Sequence, residues 1–337
     1  MGKLNKTAMD PVGVVGLGLM GSSIVTALVL SGHRVVAVAP MKDDLEYSPG
    51  KVRHYLSQCL EIQERRSGVK SYFEQIKFTD DYGALRGCAL VMECVTENIE
   101  IKKKVFSLIE SNVTAKSVIT TNTSAIPISI LKDFLKKPGR FVGMHWAEPA
   151  FTTRFLEIIC SDATDIRIAK RLYRVAAGWG KEPTLVRKDI RGFITNRIMY
   201  AMYREAFWLV ENGYATIEDV DRSCRNDGGQ WMPFCGPFRY MDLTGLQAYY
   251  HVMKDLFPTL SSQTSVPSLI KDIAEKGGNG ITNGRGFYRY TKPEVAEWEK
   301  AYEEFAFDIN RLSAKYPSDL IKRRMAKRRR GAKFDSK

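Results

Sequence analysis

The sequence is sparing with the residues that most often announce chemistry. It holds four histidines in 337 residues, too scattered for metal-ligand spacing. Its six cysteines, Cys59, Cys88, Cys94, Cys160, Cys224 and Cys235, include no CxxC pair. They read as buried free thiols in a reducing compartment, which points away from a disulfide scaffold and from zinc. No apolar run approaches the ~20 residues of a membrane span. Residues 1–10 are polar, lack the apolar core of a secretory signal and are short for a mitochondrial presequence. No internal repeat is visible. These absences lead to the expectation of a cytoplasmic protein with no metal and no membrane partner. What is present argues against disorder, since 44% hydrophobic, 11% aromatic and 26% charged residues suffice for real cores. The length suits two domains.

The net charge is +13, and it is uneven. Residues 322–337 carry nine Lys or Arg against one acid, Asp335, so the tail holds eight of the thirteen excess charges. Such a tail can bind nucleic acid or an anionic surface, but a solvated, frayed terminus over 321–337 is the plainer reading. The milder excess in the body suits an anionic small molecule, such as one carrying phosphates.

Residues 11–15 read as a buried strand and 22–31 as a helix. Between them stands Gly16-Leu17-Gly18-Leu19-Met20-Gly21. In a GxGxxG turn the first glycine makes the tight bend. The second lets the backbone approach a pyrophosphate, and the third allows close helix–strand packing. Amides at the helix start then face the phosphates. A second strand over 33–38 follows, so a dinucleotide site is expected. The acid that usually ends this strand and binds the adenosine ribose is missing, because Ala39-Pro40 occupies its place. Three readings stay open: Asp43 or Asp44 reaches the ribose, Lys42 meets a 2′-phosphate, or the adenosine end is held loosely. NAD is favoured and NADP is left open, since no Arg or Ser cluster ends the strand.

Residues 42–77 look helical, broken at Ser48-Pro49-Gly50, and carry Lys51, Arg53, Lys70, Lys77 and the pair Arg65-Arg66. Strands over 89–94 and 117–121, with a helix over 99–110 between them, give the rhythm of a parallel sheet covered on both faces. Ligands of such sheets lie at the strands' carboxyl ends. Glu97, Asn122, Ser124 and His145 all sit at strand ends, so they are expected to converge. His145 ends the apolar run 141–144. The run 155–159 is apolar except Glu157, whose carboxylate is costly to bury alone. His145 is the expected partner, fixed in tautomer by that contact.

A last strand over 183–186 and a polar junction at 188–192 close the first domain, placed at 1–188. The pattern then turns helical over 189–320, with helices at 193–212, 241–256, 266–275 and 294–312. Thr216 caps another helix, and residues 231–238 form a Pro- and Gly-rich loop. The fold class is therefore α/β, an N-terminal Rossmann-type doubly wound sheet followed by an all-α domain. The apolar helical surface suits dimerisation.

These motifs, in this order, resemble the two-domain L-3-hydroxyacyl-CoA dehydrogenases and their relatives acting on L-gulonate (the lambda-crystallin type) and on carnitine. The likeness covers residues 12–290. It rests on Gly16 to Gly21, on Glu93-Cys94-Val95-Thr96-Glu97-Asn98 with Lys102, and on Thr121-Asn122-Thr123-Ser124. Gly143-Met144-His145 with Glu157, Gly192-Phe193-Ile194-Thr195-Asn196-Arg197, Gly236-Pro237-Phe238 and Gly284-Arg285-Gly286-Phe287-Tyr288 complete it. The resemblance implies His145 as acid/base and Glu157 as its orienting partner. Ser124 and Asn196, the latter from the second domain, would bond the substrate oxygen. Glu97 and Lys102 would hold the nicotinamide half, with Asn122 and Glu148 nearby and Gly16, Gly18, Leu19, Met20 and Gly21 at the pyrophosphate. The implied substrate is an L-3-hydroxyacyl-CoA of fatty acid metabolism, with a homodimeric enzyme. A free polar 3-hydroxy acid, or a non-catalytic nucleotide-binding role, is the alternative. The chain departs from the family where His145-Trp146-Ala147-Glu148-Pro149 replaces His-Phe-Phe-Asn-Pro. It departs again at Ala39, at Thr282 in place of a frequent lysine, and at Arg191 before Gly192-Phe193. Residues 291–337 exceed the acyl-CoA enzymes.

Overall fold

Short β-branched runs build the sheet. The computed structural model describes residues 11–62 and 68–332; Arg65-Arg66 and residues 333–337 lie outside it. β1 (Val12–Val15) leads into α1 (Leu19–Leu30) and β2 (Val35–Val38). α2 (Lys42–Ile62) and α3 (Val69–Phe73) precede β3 (Ile76–Thr79). β4 (Leu90–Glu93), α4 (Ile99–Asn112), β5 (Val118–Thr121), α5 (Ile128–Leu131) and β6 (Phe141–Trp146) follow. β7 (Leu156–Ile159), α6 (Ile166–Gly178) and β8 (Thr184–Val186) complete an eight-stranded sheet of order β3-β2-β1-β4-β5-β6-β7-β8. The chain winds outward from β1 to β3, then crosses back to β4. This reversal opens a crevice at the carboxyl ends of β1 and β4, where ligands of doubly wound sheets bind.

β1, β2, β4 and β5 are buried throughout, as strands covered on both faces must be. Alternate residues feed two cores. Val14, Met92, Val142 and Met144 pack with Ile24, Leu28, Leu56 and Leu172. Val15, Val91 and Ile119 pack with Val105, Phe106 and Ile109. The doubly wound fold is thus as expected, with two refinements. β7 runs antiparallel to β6, and β8 follows β7. β3 is an added edge strand that the helical reading of 42–77 missed; Ile76, Phe78 and Thr79 are only half-buried, so its pattern is weak. The expected break at Ser48-Pro49-Gly50 is absent, and α2 runs through Pro49. Proline there forfeits one helix bond, but Val52, Leu56, Cys59 and Leu60 still present a buried stripe at helical spacing.

The chain divides into two compact units, Met1–Arg197 and Ile198–Lys337. α7 (Thr195–Glu211) begins in the first, so Asn196 belongs to it. The second unit holds α8 (Ile217–Asn226), α9 (Gly228–Thr244), α10 (Leu246–Leu256), α11 (Ser268–Glu275), α12 (Lys292–Ala314) and α13 (Leu320–Ala332). Residues 231–238, expected as a loop, lie inside α9. The helix kinks at Gly236 (φ 65°), and Pro237 opens its second half, where a missing N–H costs nothing. The basic segment, expected as frayed, has a helical backbone to Ala332.

The two units differ in what they bury. Among the described residues, the second contains no buried hydrophobic side chain, and Phe238, Tyr214 and Val266 are more than two-thirds exposed, at 81%, 68% and 67%. Polar ties organise it instead: Ser261 N–H donates to Glu205 at 2.8 Å, Ser268 to Glu211 at 2.8 Å, and Tyr288 to Asp221 at 2.7 Å. Among the described residues no helix is long and apolar enough to cross a membrane.

Candidate active site

The antiparallel register of β6 and β7 sets His145 directly opposite Glu157. Nδ1 of His145 lies 2.9 Å from Oε2 of Glu157, with both side chains buried. The other carboxylate oxygen, Oε1, accepts the backbone N–H groups of Ile194 at 3.1 Å and Thr195 at 3.0 Å. These amides open α7, so its positive end faces the carboxylate. Burial alone would raise the Glu157 carboxyl. The His145 bond and the two amides overcome it and hold the carboxyl below the usual range. An acceptor-only carboxylate requires the proton on Nδ1, which leaves Nε2 with a lone pair. The ring is set between Phe155 at 5.4 Å and Phe193 at 5.6 Å. Phe193 is buried at φ 52°, a left-handed conformation uncommon outside glycine. The turn that delivers Thr195 and Asn196 therefore carries strain.

The strand ends beside His145 are tied together. Asn122, after β5, accepts the N–H of Trp146 at 2.9 Å through Oδ1. Asn196 donates from Nδ2 to the carbonyl of Ser124 at 3.0 Å. Thr195 meets Glu157 while Asn196 meets Ser124, so the α7 start bridges the dyad and the β5 loop. Glu97 holds that loop through the Thr123 hydroxyl and the amides of Ser124 (3.2 Å) and Ala125 (3.1 Å).

Lys102, which the resemblance assigns to the nicotinamide half, is held by two glutamates. It is 1% exposed, and its ammonium donates to both oxygens of Glu93 at 2.8 and 3.0 Å and to the carbonyl of Val95 at 3.3 Å. It also lies 3.3 Å from Glu97. Lys102 thus reaches the site by way of Glu97. Glu93 is absent from the sequence-derived site, although a carboxylate ending an apolar strand signals a partner. It also accepts Thr121 at 2.6 Å and the Val95 amide at 2.7 Å. Burial still pushes its pKa up against these contacts. A second unforeseen cation is Lys181. It is buried, donates to the carbonyls of Ala150 and Thr153, and lies 4.9 Å over the Trp146 ring. Burial, with help from Arg154, lowers it to about 7.

The glycine turn fits a dinucleotide. Gly16 has φ 94°, and a Cβ on Gly21 would stand 1.8 Å from the Gly16 carbonyl, so neither position admits a side chain. Among the described residues Gly18 borders open space, where a Cβ would meet nothing within 4 Å. It is the N-cap of α1 and, among the described residues, no side-chain cap bond is made there. Leu19 and Met20 extend from this uncapped end. Open space beside free helix-start amides is what a pyrophosphate needs. Lys42, Asp43 and Asp44 lie in the first turn of α2, next to the end of β2. Among the described residues no group of side chains could hold a metal ion.

Comparison with known proteins places the chain in a family. Residues 11–190 match the family model for the 3-hydroxyacyl-CoA dehydrogenase NAD binding domain, and residues 192–290 match that for its C-terminal domain. The chain is 33% identical over 287 residues to 5-formyl-3-hydroxy-2-methylpyridine 4-carboxylate 5-dehydrogenase of Mesorhizobium japonicum, covering 84% of this chain and 92% of that protein. It is 30% identical over 279 residues to a probable 3-hydroxybutyryl-CoA dehydrogenase of Deinococcus radiodurans, covering 82% and 99%. A crystal structure of a 5-formyl-3-hydroxy-2-methylpyridine 4-carboxylic acid 5-dehydrogenase, described as an NAD+-dependent dismutase, superposes with a TM-score of 0.83 at 28% identity, covering 91% and 99%. The (S)-3-hydroxybutyryl-CoA dehydrogenase of Ralstonia eutropha gives 0.70 at 29%, covering 85% and 100%. The chain is an NAD-dependent oxidoreductase and belongs to the 3-hydroxyacyl-CoA dehydrogenase family.

Proposed function

We propose that the protein oxidises the hydroxyl of an L-3-hydroxyacyl-CoA to the 3-oxo group, with His145 as general base and Glu157 as its orienting partner. The observation that carries this reading is the buried His145–Glu157 pair at 2.9 Å. With Nδ1–H committed to Glu157, Nε2 takes the hydroxyl proton, and the imidazolium that forms is stabilised by the carboxylate. The glycine turn of Gly16, Gly18 and Gly21 would hold NAD, which when bound would supply the hydride acceptor. Ser124 and Asn196 steady the developing carbonyl oxygen from the β5 loop and the α7 start. Glu97, Lys102 and Asn122 position these groups. His145→Ala should lower turnover by roughly 10²–10⁴-fold, and a loss below about threefold would remove His145 from this role.

A second reading is favoured by one observation. The superposition on the pyridine-carboxylate dehydrogenase is better than on the hydroxybutyryl-CoA enzyme, 0.83 against 0.70. A compact carboxylated substrate without CoA therefore competes. Turnover of acetoacetyl-CoA with NADH, set beside free 3-hydroxy acids and pyridine-carboxylate aldehydes with NAD+, separates the two. Absence of activity on every acyl-CoA would discard the first.

We also infer a homodimer. A helical unit with no buried hydrophobic side chain among its described residues needs a cover present whenever the chain folds, and a second copy meets that need. On α12, Trp298, Tyr302 and Phe305 are each 60% exposed and Leu312 is 48% exposed. They recur at the four–three spacing of a coiled-coil seam. A monomer mass by sedimentation would refute the dimer.

A further inference from the structure

Glu148 is the carboxylate beside this site that the proposed mechanism does not use. It follows His145 beyond the end of β6, in a segment fixed from several sides. Asn122 holds the Trp146 amide, and Lys181 holds the Ala150 and Thr153 carbonyls. Ser23 of α1 accepts the Ala150 N–H at 2.7 Å through its hydroxyl oxygen. The Ser23 side chain is also the group that acts to lower the Glu148 carboxyl. Glu148 therefore lies between the helix launched by the glycine turn and the strand that carries His145. A dinucleotide held on that turn and serving His145 would pass this segment.

The carboxyl is poorly compensated there. Among the described residues its Oε2 is buried and meets no hydrogen-bond partner. Burial lifts the group to about 7, opposed among the described residues only by Ser23. The titratable groups on the surrounding elements do not relieve it. His145 is committed to Glu157, Lys181 to two carbonyls, and Lys102 to Glu93 and Glu97. What this spot lacks is a positive charge. The nicotinamide ring carries one when oxidised and none when reduced. A neutral amide at the same position could bond the carboxamide equally well in both states.

We propose that Glu148 makes the dinucleotide site select the oxidised cofactor, its carboxylate acting as counter-charge to the pyridinium ring of NAD+. The reduced cofactor, whose ring is neutral, would lack this attraction and bind less tightly. This inference rests on the NAD-linked reading of the His145 site and deepens it. A partly buried pair of opposite unit charges is worth at least about a tenfold preference.

Equilibrium binding of NAD+, NADH and adenosine diphosphate ribose at pH 8 to the full chain tests it, using titration calorimetry on wild type, Glu148→Gln, Glu148→Asn and Glu148→Asp. The ratio Kd(NADH)/Kd(NAD+) should fall about tenfold in the Gln and Asn variants, mainly through weaker NAD+ binding. It should be largely kept in the Asp variant. Adenosine diphosphate ribose, which lacks the ring, should bind all four within about twofold. A ratio unchanged in both neutral variants overturns the proposal. So does a fall that adenosine diphosphate ribose shares, since the residue would then act on the fold or the adenosine half. Wild type that binds neither dinucleotide would sink the cofactor reading as well. Selective binding without turnover of any hydroxy substrate would leave Glu148 in its role and overturn only the proposed reaction.

Discussion

Two glutamates flank His145, and their surroundings move them in opposite directions. Glu157, across the strand pair, is buried but receives the imidazole and two backbone amides, and its carboxyl sits below the usual range. Glu148, beyond the end of the same strand, is half-buried; among the described residues Ser23 alone acts to lower its carboxyl, which rises to about 7. Burial raises both. The number of donors aimed at each decides the sign. The first is therefore built to be charged at all working pH values and to hold a histidine. The second has no opposite charge acting on it among the described residues.

The comparison breaks first at Glu157→Gln. Glutamine keeps the volume and can still accept the α7 amides through its oxygen. Its NH2 then faces Nδ1 and forces the proton to Nε2, the wrong tautomer for a base. Turnover should fall by about 10³-fold, with substrate KM changed little. A loss under tenfold in a variant with unaltered melting temperature would mean that the charge of Glu157 is not what matters.

A third carboxylate sharpens the same contrast. Glu93 is 0% exposed and has Lys102 as its counter-ion. Lys102→Met leaves that carboxylate buried without its cation and frees Glu97, which holds the Ser124 loop. Denaturant unfolding should show a loss of about 3–5 kcal/mol. Adding Glu93→Gln should recover much of the stability but not the loop contact from Lys102 to Glu97, so turnover stays low. Equal stability of wild type and Lys102→Met would deny the pair its role.

Much of this was legible in the residues, and the gaps have physical causes. The glycine turn, the doubly wound sheet and the opposition of His145 to Glu157 follow from spacing and from the cost of burying a lone carboxylate. The antiparallel turn into β7, which sets that pair in register, does not follow from periodicity. Strand direction depends on the connection through residues 147–155 rather than on the strand itself. Lys181 reads in sequence as one more solvated cation. Its burial depends on Ala150, Thr153 and Trp146, all distant in the chain. Lys102 and Glu93 lie nine residues apart, on helix and strand, so neither period reveals their contact. Ser23 joins Glu148 only because α1 packs against the segment after β6.

The smallest effect is the pH dependence of stability, and it separates the two flanking glutamates by sign. Glu148 has an ordinary value of 4.5 and a folded value of about 7. Between these the folded protein retains a proton that the unfolded chain has lost, so stability falls as pH rises from about 4.5 to about 7 and is level above. Glu148→Gln removes that fall. Screening of a half-buried group keeps the gain near about 1 kcal/mol at pH 8, with no gain near pH 4. Glu157 behaves in reverse, because its depressed carboxyl contributes stability that is present above the ordinary carboxylate range and lost as acid protonates it. The cost of Glu157→Gln should then be constant from pH 6 to pH 8 and shrink below pH 4.5. Melting curves of both variants against wild type over this range give two opposite slopes. If the Glu148→Gln difference is flat with pH, the carboxyl is already ionised or already solvated, and the contrast between the two sides of His145 disappears.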